Sequence, residues 1–155
     1  MEIKVDFEGL KYGEESPYLS LGDLTFVDDR TGVSITTANQ YPNRSMMIFA
    51  SFSDLLEKLI ALHKHNRREV IFSGFGSSID FTFAIDRDQL VVTACGQQVS
   101  GNFHLAMQSI YKNAIYLLNC LHNQTNLLAD EYSDLAESIQ DFKSYFSATG
   151  LLLSA

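Results

Sequence analysis

The segment SSIDFTFAID (residues 77–86) decides the fold that we predict for this chain. Apolar residues alternate along it with polar or small ones, at positions Ile79, Phe81, Phe83 and Ile85. A period of two is typical of a β-strand that buries one face. The polar stretch DRDQ (residues 86–89) separates this segment from the apolar run LVVTAC (residues 90–95). Together they predict an antiparallel hairpin.

Another strand pattern lies immediately before the hairpin. Residues 70–75 (VIFSGF) are predicted to form a strand, and GFGSS (residues 74–78) has the composition of a turn between strands. A phosphate-binding loop is not indicated there, because the rest of that motif is absent and no helix follows directly. On the other side of the hairpin, Gly96 and Gly101 bracket what we predict to be a polar connection.

Three shorter strands are predicted near the N-terminus. Apolar and charged residues alternate over residues 3–7, and strand-forming residues return over residues 18–27 and 33–37. Between the last two, DDRTG (residues 28–32) is a turn by composition. A change of phase near Gly22 predicts a bulge or bend in the second strand.

A first helix is predicted in the middle of the chain. The run MMIF (residues 46–49) fits either a fourth strand or an extended lead-in to that helix. Ser51 or Ser53 is placed to cap the helix, so that Asp54 and Glu57 would fall in its first turn, where the helix dipole favours acids. The apolar face consists of Phe52, Leu55, Leu56, Leu59, Ile60 and Leu62.

Helical periodicity dominates the sequence after Phe103. A long helix is predicted from apolar positions spaced by three and four residues: Met107, Ile110, Tyr111, Ala114, Leu117, Leu118 and Leu121. A final helix follows, with Leu128, Tyr132, Leu135, Ile139, Phe142 and Phe146 on one face. Gly150 should end it, after which Leu151, Leu152 and Leu153 either fold back onto the domain or remain exposed.

These patterns predict one α+β domain spanning residues 1–155. We expect a mostly antiparallel sheet with helices packed on one face, because strands come first and helices dominate the end of the chain. The two C-terminal helices should be antiparallel, since the polar link between them is short. A chain of 155 residues is long enough to bury a core of its own.

Charge and composition exclude several classes of function. The net charge of −8 opposes nucleic-acid binding, which needs clustered Lys and Arg. The first residues do not resemble a secretory signal, and no run approaches the roughly 20 apolar residues of a membrane span. We therefore expect a cytoplasmic protein. Cys95 and Cys120 lie in apolar segments, where we expect buried free thiols rather than a disulfide or a nucleophile.

The histidines do not form a pattern typical of catalysis or metal binding. His63 and His65 would point in different directions on a helix, and His104 and His122 lie near opposite ends of the long helix. The sequence also lacks the G-x-S-x-G motif of a serine nucleophile. We therefore predict no catalytic residue, no cofactor and no metal.

The last helix carries an acidic stripe that we predict to bind a protein partner. Asp130, Asp134, Glu137 and Asp141 have the spacing of residues on one helix face and form the stripe. Glu131 lies beside it. Like charges at such spacings destabilise a helix slightly. A solvated helix face that favours solubility is the simpler explanation of the stripe, whereas a surface for a basic partner gives these charges a function.

The overall architecture resembles that of immunity proteins of bacterial toxin–immunity systems, including contact-dependent inhibition. The likeness lies in the short N-terminal strands, the helix from Phe52, the hairpin of SSIDFTFAID and QLVVTAC, and the helices that follow. It implies stoichiometric binding and inhibition of a cognate toxin, often a nuclease with a basic surface. No site residue is transferred on this basis, because no diagnostic motif of the group is present.

Two other hypotheses remain open at this point. The chain could be a small enzyme or ligand-binding domain with a pocket between sheet and helices, using His104 or Asp80 as a polar group. It could also be a homo-oligomeric component, with contacts through an exposed edge strand at residues 46–49 or through the tail at residues 151–153. The sequence does not predict the oligomeric state.

Overall fold

The structure, a computed structural model, describes residues 1–7, 21–38, 45–122, 129–151 and 153. It confirms the predicted α+β class, with antiparallel strands and two C-terminal helices. The described strands are β1 (Glu2–Phe7), β2 (Leu21–Val27), β3 (Ser34–Thr36), β4 (Met46–Met47), β5 (Val70–Ser73), β6 (Asp80–Asp86), β7 (Gln89–Ala94) and β8 (Gln97–Asn102). The described helices are α1 (Ile48–Lys64), α2 (Phe103–His122) and α3 (Ala129–Ala148).

The described strands form two antiparallel sheets of four strands each. In the first sheet, β1 pairs with one edge of β2, while β3 and β4 pair along the other edge. In the second sheet, β5 to β8 follow one another in chain order. The hairpin predicted from residues 77–95 is the β6–β7 pair, with Arg87 and Asp88 at its turn. Periodicity alone predicts antiparallel pairing, but it contains no information on the division into two sheets.

Phenylalanine rings join the two sheets. The ring centroid of Phe26, on β2, lies 5.3 Å from that of Phe81 and 5.5 Å from that of Phe83, both on β6. Phe72 of β5 packs beside the same two rings, at 6.1 and 6.3 Å. All four side chains are fully buried. Burial of aromatic rings is among the largest stabilising contributions that a core receives.

Helix α2 covers the edge of β1 that does not pair with β2. The backbone N–H of Ile3 donates to the hydroxyl of Ser109 at 3.1 Å, and the amide of Asn113 donates to the carbonyl of Ile3 at 2.8 Å. An open strand edge presents unpaired backbone groups that invite aggregation. Side chains of α2 therefore satisfy the backbone of Ile3 on the edge of β1 that pairs with no other described strand.

The relative directions of the helices follow from ring contacts near their ends. Phe103 at the start of α2 lies 5.9 Å from Phe146 near the end of α3, and His122 at the end of α2 lies 5.8 Å from Tyr132. These two contacts confirm that α2 and α3 are antiparallel. His63 near the end of α1 also contacts Phe146, at 5.5 Å, so the C-terminal ends of α1 and α3 meet.

The first helix begins earlier than predicted. It starts at Ile48, without a capping side chain, so Ser51 lies within it and Asp54 lies beyond its first turn. The strand before it is reduced to Met46 and Met47. Tertiary packing explains this start, because Met46 is fully buried against Gly74, where an added Cβ would lie 2.7 Å from the Met46 side chain.

The region after β7 also differs from the prediction. Residues 97–102 form β8 rather than a polar connection, and the turn lies at Cys95 and Gly96. Both turn residues have positive φ, 53° and 72°, as tight hairpin turns require. Cys95 is therefore exposed and Cys120 is only partly buried, so the prediction of two buried thiols was wrong. An apolar neighbourhood in sequence does not bury a side chain that the backbone turns outward.

The remaining predictions have mixed outcomes. Strands β1 and β2 pair residue by residue, from Glu2 opposite Val27 to Phe7 opposite Gly22. The bulge predicted near Gly22 is therefore absent from these described strands. Leu151 folds back and is buried, with its N–H donating to the carbonyl of Phe146 at 2.9 Å. Leu153 is partly buried, whereas Leu152, Leu128 and residues 18–20 lie outside the described residues.

Asp28 links the two sheets through its carboxylate. One oxygen accepts the N–H of Ser100, on β8, at 3.0 Å, while the other accepts the N–H groups of Arg30 and Thr31 at 2.9 and 3.1 Å. These bonds favour the charged form, and they lower the pKa of Asp28 from 3.8 to about 2. The side chain is only 9% exposed, so its charge is stabilised mainly by these amides.

We predict that Asp28→Asn lowers the free energy of unfolding at neutral pH by about 1–2 kcal/mol. A carboxylate with a lowered pKa stabilises the fold above its ordinary pKa, and this contribution disappears as pH falls towards about 2. Urea unfolding of both proteins between pH 7 and pH 3 should show the difference shrinking below about pH 4. Asp86→Asn, at an exposed position, is the control. A difference that does not depend on pH would contradict the assignment.

Candidate functional site

A cleft lies between the N-terminal part of α1 and the middle of α3. Its volume is about 380 Å³, and five of the residues that line it carry a carboxylate. Helix α1 contributes Phe49, Ala50, Ser53, Asp54 and Glu57; helix α3 contributes Asp134, Glu137, Ser138 and Asp141; and the connection between β5 and β6 contributes Phe75. We call this site the α1–α3 cleft.

Three of the predicted partner-binding residues lie in this cleft. Asp134, Glu137 and Asp141 form one wall, and all three are exposed. Asp130 and Glu131 belong to α3, but their side chains lie outside the described part of the chain. The acidic stripe on α3 is thus one side of a concave site rather than an isolated helix face.

The opposite wall was not predicted from sequence. Asp54 and Glu57 were interpreted as first-turn acids of α1, but the earlier helix start removes that explanation. They face the acids of α3 across the cleft. Their spacing of three residues places them on one helix face, which was the only sequence signal available. Which element that face meets is decided by tertiary packing.

The carboxylates of the cleft form no ion pair with the residues that the structure describes. The described residues form ion pairs between Lys4 and Glu2 and between the Met1 amine and Asp29. Both pairs lie outside the cleft. None of the five acids of the cleft takes part in an ion pair with a described residue. Like charges that share a concave surface reinforce one another's potential.

An aromatic ring stands beside the acids. Phe75 is 45% exposed, which is unusual for a phenylalanine in this chain, where most described rings are buried. Its backbone is anchored on both sides: its N–H donates to Ser51 Oγ at 2.9 Å, and its carbonyl accepts the N–H of Met47 at 2.8 Å. The backbone of Phe75 is therefore tied to the start of α1 beside the cleft.

One buried polar group lines the cleft without a partner. Ser138 is only 7% exposed, and its hydroxyl makes no hydrogen bond with the residues that the structure describes. By contrast, Asp28, Thr37 and Ser51, the other buried polar residues, are all hydrogen-bonded. A buried hydroxyl without a partner is unfavourable by about 1–3 kcal/mol. Such groups are rare in folded proteins and call for an explanation.

His63 contacts both α2 and α3 from the end of α1. Its Nδ1 is 2.7 Å from the Tyr145 hydroxyl, and its ring stacks on Phe103 with centroids 5.4 Å apart and an interplanar angle of 12°. Burial raises the pKa of Tyr145, so this phenol remains protonated at neutral pH. His63 thus connects all three helices at the end opposite to the cleft.

A second cavity, of about 330 Å³, lies at this other end. Its polar lining includes His63, Arg87, Asp88, Asn102 and His104, and its apolar lining includes Ile85, Phe103 and Leu151. We call it the histidine cavity. It brings His63 and His104 to one site, although they are 41 residues apart in sequence. His104 therefore lies in a pocket between sheet and helices, as one hypothesis required.

Asp80, the other residue of that hypothesis, lies elsewhere. It is exposed on β6 and hydrogen-bonded to Ser73 on β5. The edge-strand contact at residues 46–49 is also ruled out, because Met46, Ile48 and Phe49 are buried. Both corrections have the same cause: alternation predicts which residues share a face, but not which face another element covers.

Groups suited to metal or nucleophilic chemistry are scattered. Among the described residues, no cluster of three or more His, Cys, Asp or Glu side chains is arranged to hold a metal. Cys120 interacts with Tyr116, whose pKa it raises with a smaller contribution from Asp6. No described helix is both long and apolar enough to cross a membrane.

Comparisons with protein-family models, with curated proteins and with solved structures find no match. Function is therefore inferred from the geometry of the chain itself.

We predict that Glu137→Gln raises the free energy of unfolding by a few tenths of a kcal/mol at low salt, because it removes repulsion within the cleft. The gain should vanish at about 1 M salt, where the screening length is only about 3 Å. Urea unfolding at low and high salt measures both effects. Glu69→Gln, at an exposed position outside the cleft, is the control. A loss of stability in Glu137→Gln at low salt would mean that this carboxylate has a favourable partner.

Proposed function

We propose that this chain is a non-catalytic binding protein that engages a basic protein partner through the α1–α3 cleft. The observation that carries the proposal is that two helices supply five carboxylates to one concave site without an ion pair among the described residues. A concentration of negative charge attracts a cationic surface and speeds association with it. The same charge disfavours DNA and RNA as partners.

The resemblance to immunity proteins supports a more specific form of this proposal. In that form, the chain is a bacterial cytoplasmic protein that binds a cognate toxin stoichiometrically and inhibits it. A nuclease-type toxin suits the cleft, because a surface that binds polyphosphate is rich in Lys and Arg. An inhibitor that occupies such a surface blocks the substrate without any chemistry of its own.

The proposal predicts that a basic protein co-purifies with the full-length chain from its native host. Asp134→Lys, Glu137→Lys and Asp141→Lys combined should slow association with that protein by at least about tenfold at low salt. The association rate of the unmodified chain should fall steeply with added salt, and that of the variant should change little. Stopped-flow or surface-based binding kinetics provide the measurement.

A control of equal charge separates the cleft from the net charge. Glu2→Lys, Glu69→Lys and Asp86→Lys combined change three exposed acids outside the cleft. This variant should retain most of the association rate. If both variants associate equally fast, the cleft is not the binding surface.

The histidine cavity favours a second candidate function, binding of a small anion. Arg87, His63 and His104 converge there, with Asp88 as an opposing charge. A concave site with several polar groups is the usual form of a small-ligand site. This second candidate keeps the hypothesis of a small enzyme or ligand-binding domain. His104 lines its cavity, whereas Asp80 does not.

Titration of the chain with sulfate, monitored through its NMR chemical shifts, tests this second function. Saturable shifts should appear around Phe103 and His104, and Arg87→Gln should weaken sulfate binding by about tenfold or more, as loss of a charged hydrogen bond does. Arg67→Gln, at an exposed position outside the cavity, should leave binding unchanged. Equal effects of the two substitutions would show only non-specific attraction of sulfate to surface cations.

A further inference from the structure

The orphan hydroxyl of Ser138 indicates what the α1–α3 cleft accommodates. Ser138 lines the cleft and is buried, whereas Asp134, Glu137 and Asp141 around it on α3 are exposed. A hydroxyl can donate one hydrogen bond and accept two. A ligand that reaches past the exposed acids to this group would supply the partner that the described residues do not.

The charge of the cleft defines the chemistry of that ligand. Carboxylates stand on both walls, with Asp54 and Glu57 on α1 facing the acids of α3. A planar guanidinium group has five N–H donors in a fixed fork, and it can serve acceptors on two sides at once. An ammonium group has three donors around a single point and is more strongly hydrated. Acceptors distributed around a slot therefore favour arginine over lysine.

The apolar part of the lining fits the rest of an arginine side chain. Phe75 presents an exposed ring at the cleft, and Phe49 adds a buried apolar surface. Arginine packs its aliphatic stem on apolar surface and stacks its guanidinium group on aromatic rings. A metal ion or a simple inorganic cation has no aliphatic stem to pack against these rings.

We infer that the α1–α3 cleft receives one arginine side chain of a protein partner, with the guanidinium group between the two acidic walls and hydrogen-bonded to Ser138. The inference rests on the proposed function and names the group that the partner inserts. Arginine anchors in the centre of an interface commonly dominate binding energy.

The experiment uses the full-length chain and three small probes: N-acetyl-arginine amide, N-acetyl-lysine amide and N-acetyl-citrulline amide. Citrulline has nearly the shape of arginine without its charge. We expect saturable NMR shifts at Ser138, Phe75 and Glu57 with the arginine probe, weaker binding of the lysine probe, and no saturable binding of the citrulline probe. Equal affinities for arginine and lysine, or an arginine probe that does not shift these signals at millimolar concentration, would overturn the inference.

Substitution of Ser138 tests the hydrogen bond itself. Ser138→Ala should weaken binding of the arginine probe by about fivefold, the usual effect of one hydrogen bond. It should leave the free chain as stable as before or more stable, because it removes a buried hydroxyl without a partner. Ser147→Ala, at an exposed position of α3 outside the cleft, should change neither property. A less stable Ser138→Ala variant would mean that the hydroxyl serves the fold, which overturns the inference.

The two proposals fail in different ways. Absence of a basic protein partner in the co-purification would reject the proposed function while the probe titrations still report on the cleft. Spermidine, titrated in the same way, separates the remaining alternative. If spermidine binds the cleft more tightly than the arginine probe does, the site collects free polyamines rather than an arginine side chain, and the inference is overturned.

Discussion

Contact between the ring of Phe26 and the rings of Phe81 and Phe83 is the interaction on which the rest of the structure depends. Phe26 belongs to one sheet and the other two to the second, so this contact converts two small antiparallel sheets into one core. Neither sheet of four strands could bury both of its faces alone. Asp28, two residues after Phe26, adds a polar link from the same region to β8.

Positions of the helices follow from this core. Met46 is buried against Gly74, and Phe75 is hydrogen-bonded to Met47 and Ser51, so the start of α1 is tied to the β5–β6 connection. At the other end, His63 joins α1 to α2 and α3. The α1–α3 cleft lies between these two anchored regions. Its acidic walls are therefore held by packed elements rather than by loops, which keeps the site pre-organised for a partner.

The charge of the cleft has a small energetic cost for the free protein. Repulsion between exposed carboxylates amounts to a few tenths of a kcal/mol per pair. The hydroxyl of Ser138, which has no hydrogen-bond partner among the described residues, adds a further penalty. Binding sites commonly retain such locally unfavourable features, since the partner supplies the missing interactions. The histidine cavity differs in this respect, because His63 is already hydrogen-bonded to Tyr145 and stacked on Phe103. In the free protein, the polar groups of the cleft therefore have fewer favourable partners among the described residues than His63 has in the histidine cavity.

Sequence alone determined the class of fold and one wall of the site. Alternation in SSIDFTFAID and the helical stripe ending at Phe146 depend on which residues are apolar, and a period of two or of 3.6 follows from local backbone geometry. The acids Asp134, Glu137 and Asp141 share a helix face for the same local reason. Tertiary structure decided the division into two sheets, the early start of α1, the exposure of Cys95, and the meeting of α3 with Asp54 and Glu57. These features depend on contacts between residues far apart in the chain, and periodicity within one segment carries no information about which other segment it will face.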